Sequence, residues 1–151
     1  MDLLTFVTLV VTGFTGCAEF GSYALVHPVI RRLAPADHIR VEQGFLRTWG
    51  RVMPILMPLT AVLNVALASL ADAEGATLVL RWVAAAAVLV SVVTTVSVNV
   101  GINIATGRWD ADHPPADWKA VRARWERFQA IRSWLLVVAF VLQSLTVTVV
   151  T

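Results

Sequence analysis

The sequence predicts an all-α fold. It reads as an integral membrane four-helix bundle with a short amphipathic interfacial helix in loop one and a helical extension before span four. Three observations predict it. Hydrophobic residues make up 58% of the 151-residue chain and charged residues only 15%, whereas soluble domains are nearer a quarter charged. Four apolar runs approach or exceed the roughly 20 residues that cross a bilayer as a helix. The charges collect between those runs, mostly in two long loops. That distribution also removes nucleic acid as a partner, because the net charge of +2 comes from loops rather than from a basic face. Cys17 is the only cysteine, so neither an internal disulfide nor a cysteine metal cage is available. One polytopic domain, residues 1–151, is expected, with spans at about 3–26, 52–71, 77–104 and 131–151.

Span 1 runs from Leu3 to Val26. It lacks a basic leader, since Asp2 is the only early charge, and it exceeds the length of a signal-peptide core, so it is expected to be retained. His27-Pro28 closes it, because the residue before proline is pushed out of the α region. Residues 35–50 form the amphipathic helix of loop one. Ile39, Phe45, Leu46 and Trp49 share an apolar side, and Asp37, Arg40, Glu42, Gln43 and Arg47 supply a polar one suited to the headgroup layer. Span 2 carries Pro54 and Pro58 in its first turns and Asn64 deeper in. Span 3 is bland from Ala84 to Val90 and polar toward its end, where Asn99 and Asn103, four apart, share a face. After the Pro114-Pro115 loop, Trp118, Val121, Trp125 and Phe128 recur at helical spacing, so a helix leads into span 4.

Orientation follows from basic residues. Loop one holds Arg31, Arg32, Arg40, Arg47 and Arg51, and loop three with the start of span 4 holds six more. Only Arg81 lies on the other side. The expectation is an inner-membrane protein of the bacterial type or its equivalent, with both basic loops cytoplasmic and both termini outside.

Glu19 is the residue that asks for a function. A carboxylate at membrane depth costs about 2.5–3.5 kcal/mol on insertion scales and marks functional sites by default. Glu19, Tyr23 and His27 follow i, i+4, i+8, a slowly drifting stripe on one helix. Glu19 lies about 12 Å from His27 at 1.5 Å per residue. Arg51 opens span 2, while Gln129 and Arg132 open span 4. Every span therefore offers polar groups to the half of the bundle near the basic loops, which predicts a pocket between facing helices. Trp125 and Phe128 are candidates to wall a flat aromatic ligand. A metal site is not expected: Glu19 and His27 are two turns apart, and no HExxH or paired ExxH occurs. His38 and His113 read as solvated loop side chains.

Four features give the chain a resemblance to the anthrone oxygenase-like family of small four-span membrane proteins. They are Glu19 followed by His27-Pro28, the pattern Asn99-Val-Gly-Ile-Asn103, Trp109 soon after span 3, and Arg122-Ala-Arg-Trp125-Glu-Arg-Phe-Gln129-Ala-Ile-Arg132 leading into span 4. The resemblance covers essentially the whole chain. Family members often carry proline where this chain has Gly101, and many carry histidine where it has Gln129.

The resemblance implies oxidation of a flat phenolic or polyketide-type molecule. An anthrone-like substrate is acidic and reacts with oxygen as its anion, so a base, oxyanion donors and a dry pocket suffice. The sequence names no cofactor and leaves open whether one takes part. The residues expected to carry the chemistry are Glu19 or His27 as base, with Asn99, Asn103 and Arg132 stabilising the anion. Tyr23, Arg51, Asn64, Trp125, Phe128 and Gln129 are expected to contact the ligand. Two other functions remain open on the sequence. One is a non-enzymatic membrane protein that binds a lipid or hydrophobic molecule or assists a partner. The other is a small transporter subunit, which with four spans would have to form a homo-oligomer. In each case the bilayer is the solvent and a hydrophobic small molecule is the candidate ligand.

Overall fold

The computed structural model describes residues 2–149, and all regular structure among them is helical. Four long helices follow one another: α1 (Leu3–Ile30), α2 (Pro35–Leu70), α3 (Gly75–Arg108) and α4 (Trp118–Val149). Each is long and apolar enough to cross a membrane. They pack in a ring, α1 against α2, α2 against α3, α3 against α4 and α4 back against α1. The outward faces carry large apolar residues such as Phe14, Leu25, Ile55, Val62, Val79 and Trp134, as lipid contact requires. The expected end of the fourth span at Thr151 lies outside the described residues.

The amphipathic segment of loop one is helical, as its pattern predicts, but it does not lie apart from span 2. Pro35 to Leu70 is one unbroken helix. Its first half therefore stands up from the bundle beside the start of α4 instead of lying in the headgroup plane. Pro35 suits the first turn, where its missing N–H has no intrahelical partner to lose. At the opposite end of the bundle the short turn after α2 is closed by Gly75 at φ 53°, in the left-handed region where glycine is strain-free. Arg81 is buried there and donates to the carbonyls of Ala71 at 3.2 Å and Asp72 at 3.5 Å, a cation at the carbonyl end of α2.

Inside the ring, apolar packing comes from Met53, Met57, Ala61, Ala84, Val88, Leu136 and Ala139. Helix α1 contributes almost no large side chains. It buries Thr5, Thr8, Thr12, Gly13, Thr15, Gly16 and Glu19. Lipid is as apolar as leucine, so such a helix is held by close approach and interhelical hydrogen bonds. Both are present. Thr15 and Thr60 hydroxyls lie 2.9 Å apart, Asn64 donates to Thr12 at 2.8 Å, and Gln143 donates to Asn64 at 2.8 Å. A Cβ on Gly16 would sit 3.1 Å from the Leu136 carbonyl oxygen, a backbone atom that cannot swing aside. Gly16→Val is therefore expected to part α1 from α4 and cost roughly 1–3 kcal/mol, the range for overpacking. A thermal melt in detergent checks this, with the larger loss at Gly16 than at the open position Gly101.

Two π-turns interrupt the ring at similar depth, Ser22–Val26 in α1 and Thr95–Asn99 in α3. Such turns absorb one extra residue and recur at functional sites. Loop three is tied to α2. Gln43 donates to the carbonyls of Thr106 and Trp109, and Arg40 pairs with Asp112 at 2.5 Å. Within that loop His113, together with the Asp112 amide, holds the Asp110 carboxyl below the usual carboxylate range.

Candidate functional site

The π-turn in α1 sets up the site. Eight residues of ideal α-helix would leave His27 about 80° off the face of Glu19; absorbing one residue brings the pair to within about 20°. Both then look into the ring. Ser22, where the turn begins, faces the same space, while Tyr23 swings out and packs edge-on against Phe20 at 6.2 Å between ring centroids.

Glu19 is fully buried and held from two neighbouring helices. From α4, Arg132 lies 2.8 Å from Oε2, and the Gln129 amide donates to the same oxygen at 2.7 Å. From α2, the Trp49 indole N–H donates to Oε1 at 3.3 Å. Arg132 also donates to Gln129 and, at 3.1 Å, to the Thr95 hydroxyl in the α3 π-turn. Ser133 donates to the Glu19 backbone carbonyl at 3.1 Å. The carboxylate thus has a counter-charge and a complete set of donors, which is what makes an ionised group tolerable at this depth.

A second ionic centre lies one layer nearer the long loops. Glu42 of α2 is buried and meets Arg122 of α4 at 2.6 Å. The His27 ring presents Nδ1 to Glu42 at 3.4 Å, and His38 presents Nε2 to the same oxygen at 3.7 Å. Arg122 stacks over Trp125, 4.3 Å from the ring centroid, and His27 packs on the same indole at 4.9 Å. His38 is not a solvated loop residue as the sequence suggested. It is in α2, only 4% exposed, with its ring against Trp118. His113 is solvated.

Both centres border a cavity of about 430 Å³. Glu19, His27, Glu42, Trp125, Gln129, Arg132 and Asn103 contribute its polar lining. Phe45, Leu46, Met53, Met57, Val92, Val96 and Ile104 make most of its wall. Three buried polar atoms on lining residues have no protein partner: the donors Trp125 Nε1 and Arg132 Nε and the acceptor Asn103 Oδ1. A polar group left unpaired in a dry interior is costly, so a ligand group that reached these atoms would relieve that cost.

Of the residues singled out in the sequence, Glu19, His27, Asn103, Trp125, Gln129 and Arg132 line this cavity together. Asn99 sits behind it and donates to the Trp125 carbonyl at 3.2 Å. Tyr23, Arg51, Asn64 and Phe128 do not border it. Arg51 is exposed, because Trp49 and Met53 are the residues of that turn that face inward. Asn64 is a tie in the other half of the ring, and Phe128 is half-buried on a different face of α4 from Trp125 and Gln129. Sequence reading missed Glu42, Arg122, Trp49 and Thr95. One signal was present: Arg122, Trp125, Gln129 and Arg132 are spaced by 3, 4 and 3 and form one polar stripe along α4. No group of three or more His, Cys, Asp or Glu among the described residues is disposed to hold a metal ion.

The fold and site define an integral membrane protein of four helices around an apolar cavity with two buried ion pairs at its border. Residues 45–142, well over half of the chain, match the model of the anthrone oxygenase family, and the chain belongs to that family. Glu19 and His27 fall outside the matched stretch, while Glu42 lies just before it. Comparison with curated proteins gave no match. Comparison with solved structures gave none either.

Proposed function

We propose that this protein binds a flat, weakly acidic phenolic or polyketide-type molecule in the cavity and promotes its oxidation by molecular oxygen. The observation that carries this reading is the pairing, in one apolar cavity, of a histidine backed by a carboxylate with buried donors that lack partners. Family membership supports the same chemistry.

The steps assign a role to each group. His27, its Nδ1 turned toward Glu42, takes a proton from the substrate methylene through its other nitrogen. The electron pair left on carbon delocalises onto the substrate carbonyl oxygen. Trp125 Nε1 and Arg132 Nε are placed to donate to that oxyanion, in a site where water does not compete. The carbanion reduces oxygen and forms a carbon–oxygen bond, and the resulting peroxide anion takes the proton from His27 to give a hydroperoxide. His27, neutral again, takes the second methylene proton as the O–O bond breaks, which gives the quinone carbonyl. The leaving hydroxide takes the proton held by His27, so one oxygen molecule yields one quinone and one water. Glu19, already engaged by three donors, holds Arg132 and Gln129 in position.

Positive charge in the long loops places them on the cytoplasmic side in this reading, with both termini outside. The mostly apolar wall also suits a lipid acyl chain, and a protein that only binds lipid is the second reading. Oxygen uptake separates the two. Purified protein in detergent with anthrone as probe is expected to consume oxygen and release anthraquinone in equal amounts, faster than buffer alone. Binding of anthrone without added uptake would favour the second reading.

A further inference from the structure

The cavity is sealed on two sides and open on the third. Its lining residues from α1 and α4, namely Glu19, Ser22, His27, Trp125, Gln129 and Arg132, are all at least nine-tenths buried. The lining residues that are also exposed come only from α2 and α3. Val96 is 64% exposed and Ile104 51%, and across from them Gly50, Pro54 and Pro58 are exposed as well. A residue that both borders the cavity and faces outward marks an opening. This opening lies between two membrane helices, within an apolar stretch of each.

The sequence explains why the helices part here. Pro54 cannot donate to the Gly50 carbonyl, and Pro58 cannot donate to the Pro54 carbonyl. Two hydrogen bonds of α2, one turn apart, are therefore missing along the edge of the opening. On the facing edge, Thr95–Asn99 is the π-turn of α3, another departure from regular helix. Irregular backbone at membrane depth is tolerated where it lines a cavity.

We propose that the gap between Pro54–Pro58 and Val96–Val100 is a lateral portal through which an apolar ligand enters directly from the bilayer. This rests on the reading above only for what enters. The portal walls are aliphatic, whereas the ionic centres lie on the far helices, so a flat hydrophobic molecule slides in with its oxygen-bearing edge leading toward Arg132 and Trp125.

Thiol accessibility in liposomes tests the portal without requiring turnover. Cys17 is exposed and is removed first as Cys17→Ser. Val92→Cys then places a near-isosteric thiol on the cavity wall, and Met57→Cys is a second reporter should the first not fold. N-pyrenylmaleimide, which partitions into the bilayer, is expected to label either thiol, while a sulfonated maleimide confined to water is not. Adding Val96→Phe and Val100→Phe, both at lipid-exposed positions, is expected to slow pyrene labelling several-fold. Equal labelling by the sulfonated reagent, an unchanged rate in the phenylalanine variants, or no labelling by either reagent would overturn the portal. Any of these results leaves the oxidation reading to its own assay, and failure of oxygen uptake leaves the portal standing.

Discussion

Glu19→Gln is expected to destabilise the protein strongly, by about 3–5 kcal/mol, the cost of stripping one partner from a buried ion pair. From the sequence alone the amide is expected to leave folding intact and abolish function, because it keeps shape and a hydrogen-bonding head but removes the acid–base capacity. The structure changes that expectation. Arg132 is 5% exposed and its counter-charge is the Glu19 carboxylate at 2.8 Å. In the variant the guanidinium is left charged at depth, and the new amide N–H₂ meets Gln129 and Trp49 donors that had been aimed at oxygens. Arg132→Met should cost a similar amount by leaving the carboxylate uncompensated. The double variant Glu19→Gln/Arg132→Met removes both charges and is expected to recover most of the loss. A double-mutant cycle by thermal melting in detergent reads this directly. Additive losses in the double variant would show that the pair is not coupled.

His27→Gln is expected to have the largest effect on activity. The His27 ring has a carboxylate behind Nδ1 and an indole beneath it, so its position is fixed before any ligand arrives. Glutamine fills similar space and can still face Glu42, but it accepts no proton near neutral pH. Turnover of anthrone should fall a hundred- to ten-thousand-fold, roughly what a positioned general base contributes. Binding should change little, because the apolar wall is untouched. Since Glu42 keeps Arg122 as its counter-charge at 2.6 Å, the variant should melt close to the wild type. Parallel loss of binding and stability would instead assign His27 a structural role.

The fold was legible because the bilayer imposes it. Apolar runs are a strong signal, and the interior placement of Glu19 followed from the cost of any other placement. His27-Pro28, expected to close the first span, does not, because His27 stays in the α region and the helix runs on to Ile30. Half of the site was legible for the same reason: Gln129, Arg132 and Asn103 are polar groups inside or beside apolar runs. Glu42 and Arg122 were not. They sit among other charges on an amphipathic segment, where pattern alone does not distinguish a face that meets water from one that meets another polar face. What decides the matter is that α2 continues unbroken through residue 50, bringing Glu42 alongside α4. The π-turns were likewise invisible. They place Ser22 rather than Tyr23 on the cavity and bring His27 into line with Glu19, a one-residue shift that spacing rules based on 3.6 residues per turn do not anticipate.

Proton removal is the step on which the account depends, and it can be watched without oxygen. Anthrone incubated anaerobically in D₂O with the purified protein should exchange its methylene protons for deuterium, followed by proton NMR. The account predicts exchange well above the protein-free rate for the wild type and at the protein-free rate for His27→Gln. Exchange by the wild type no faster than buffer, or equally fast in His27→Gln, would contradict it.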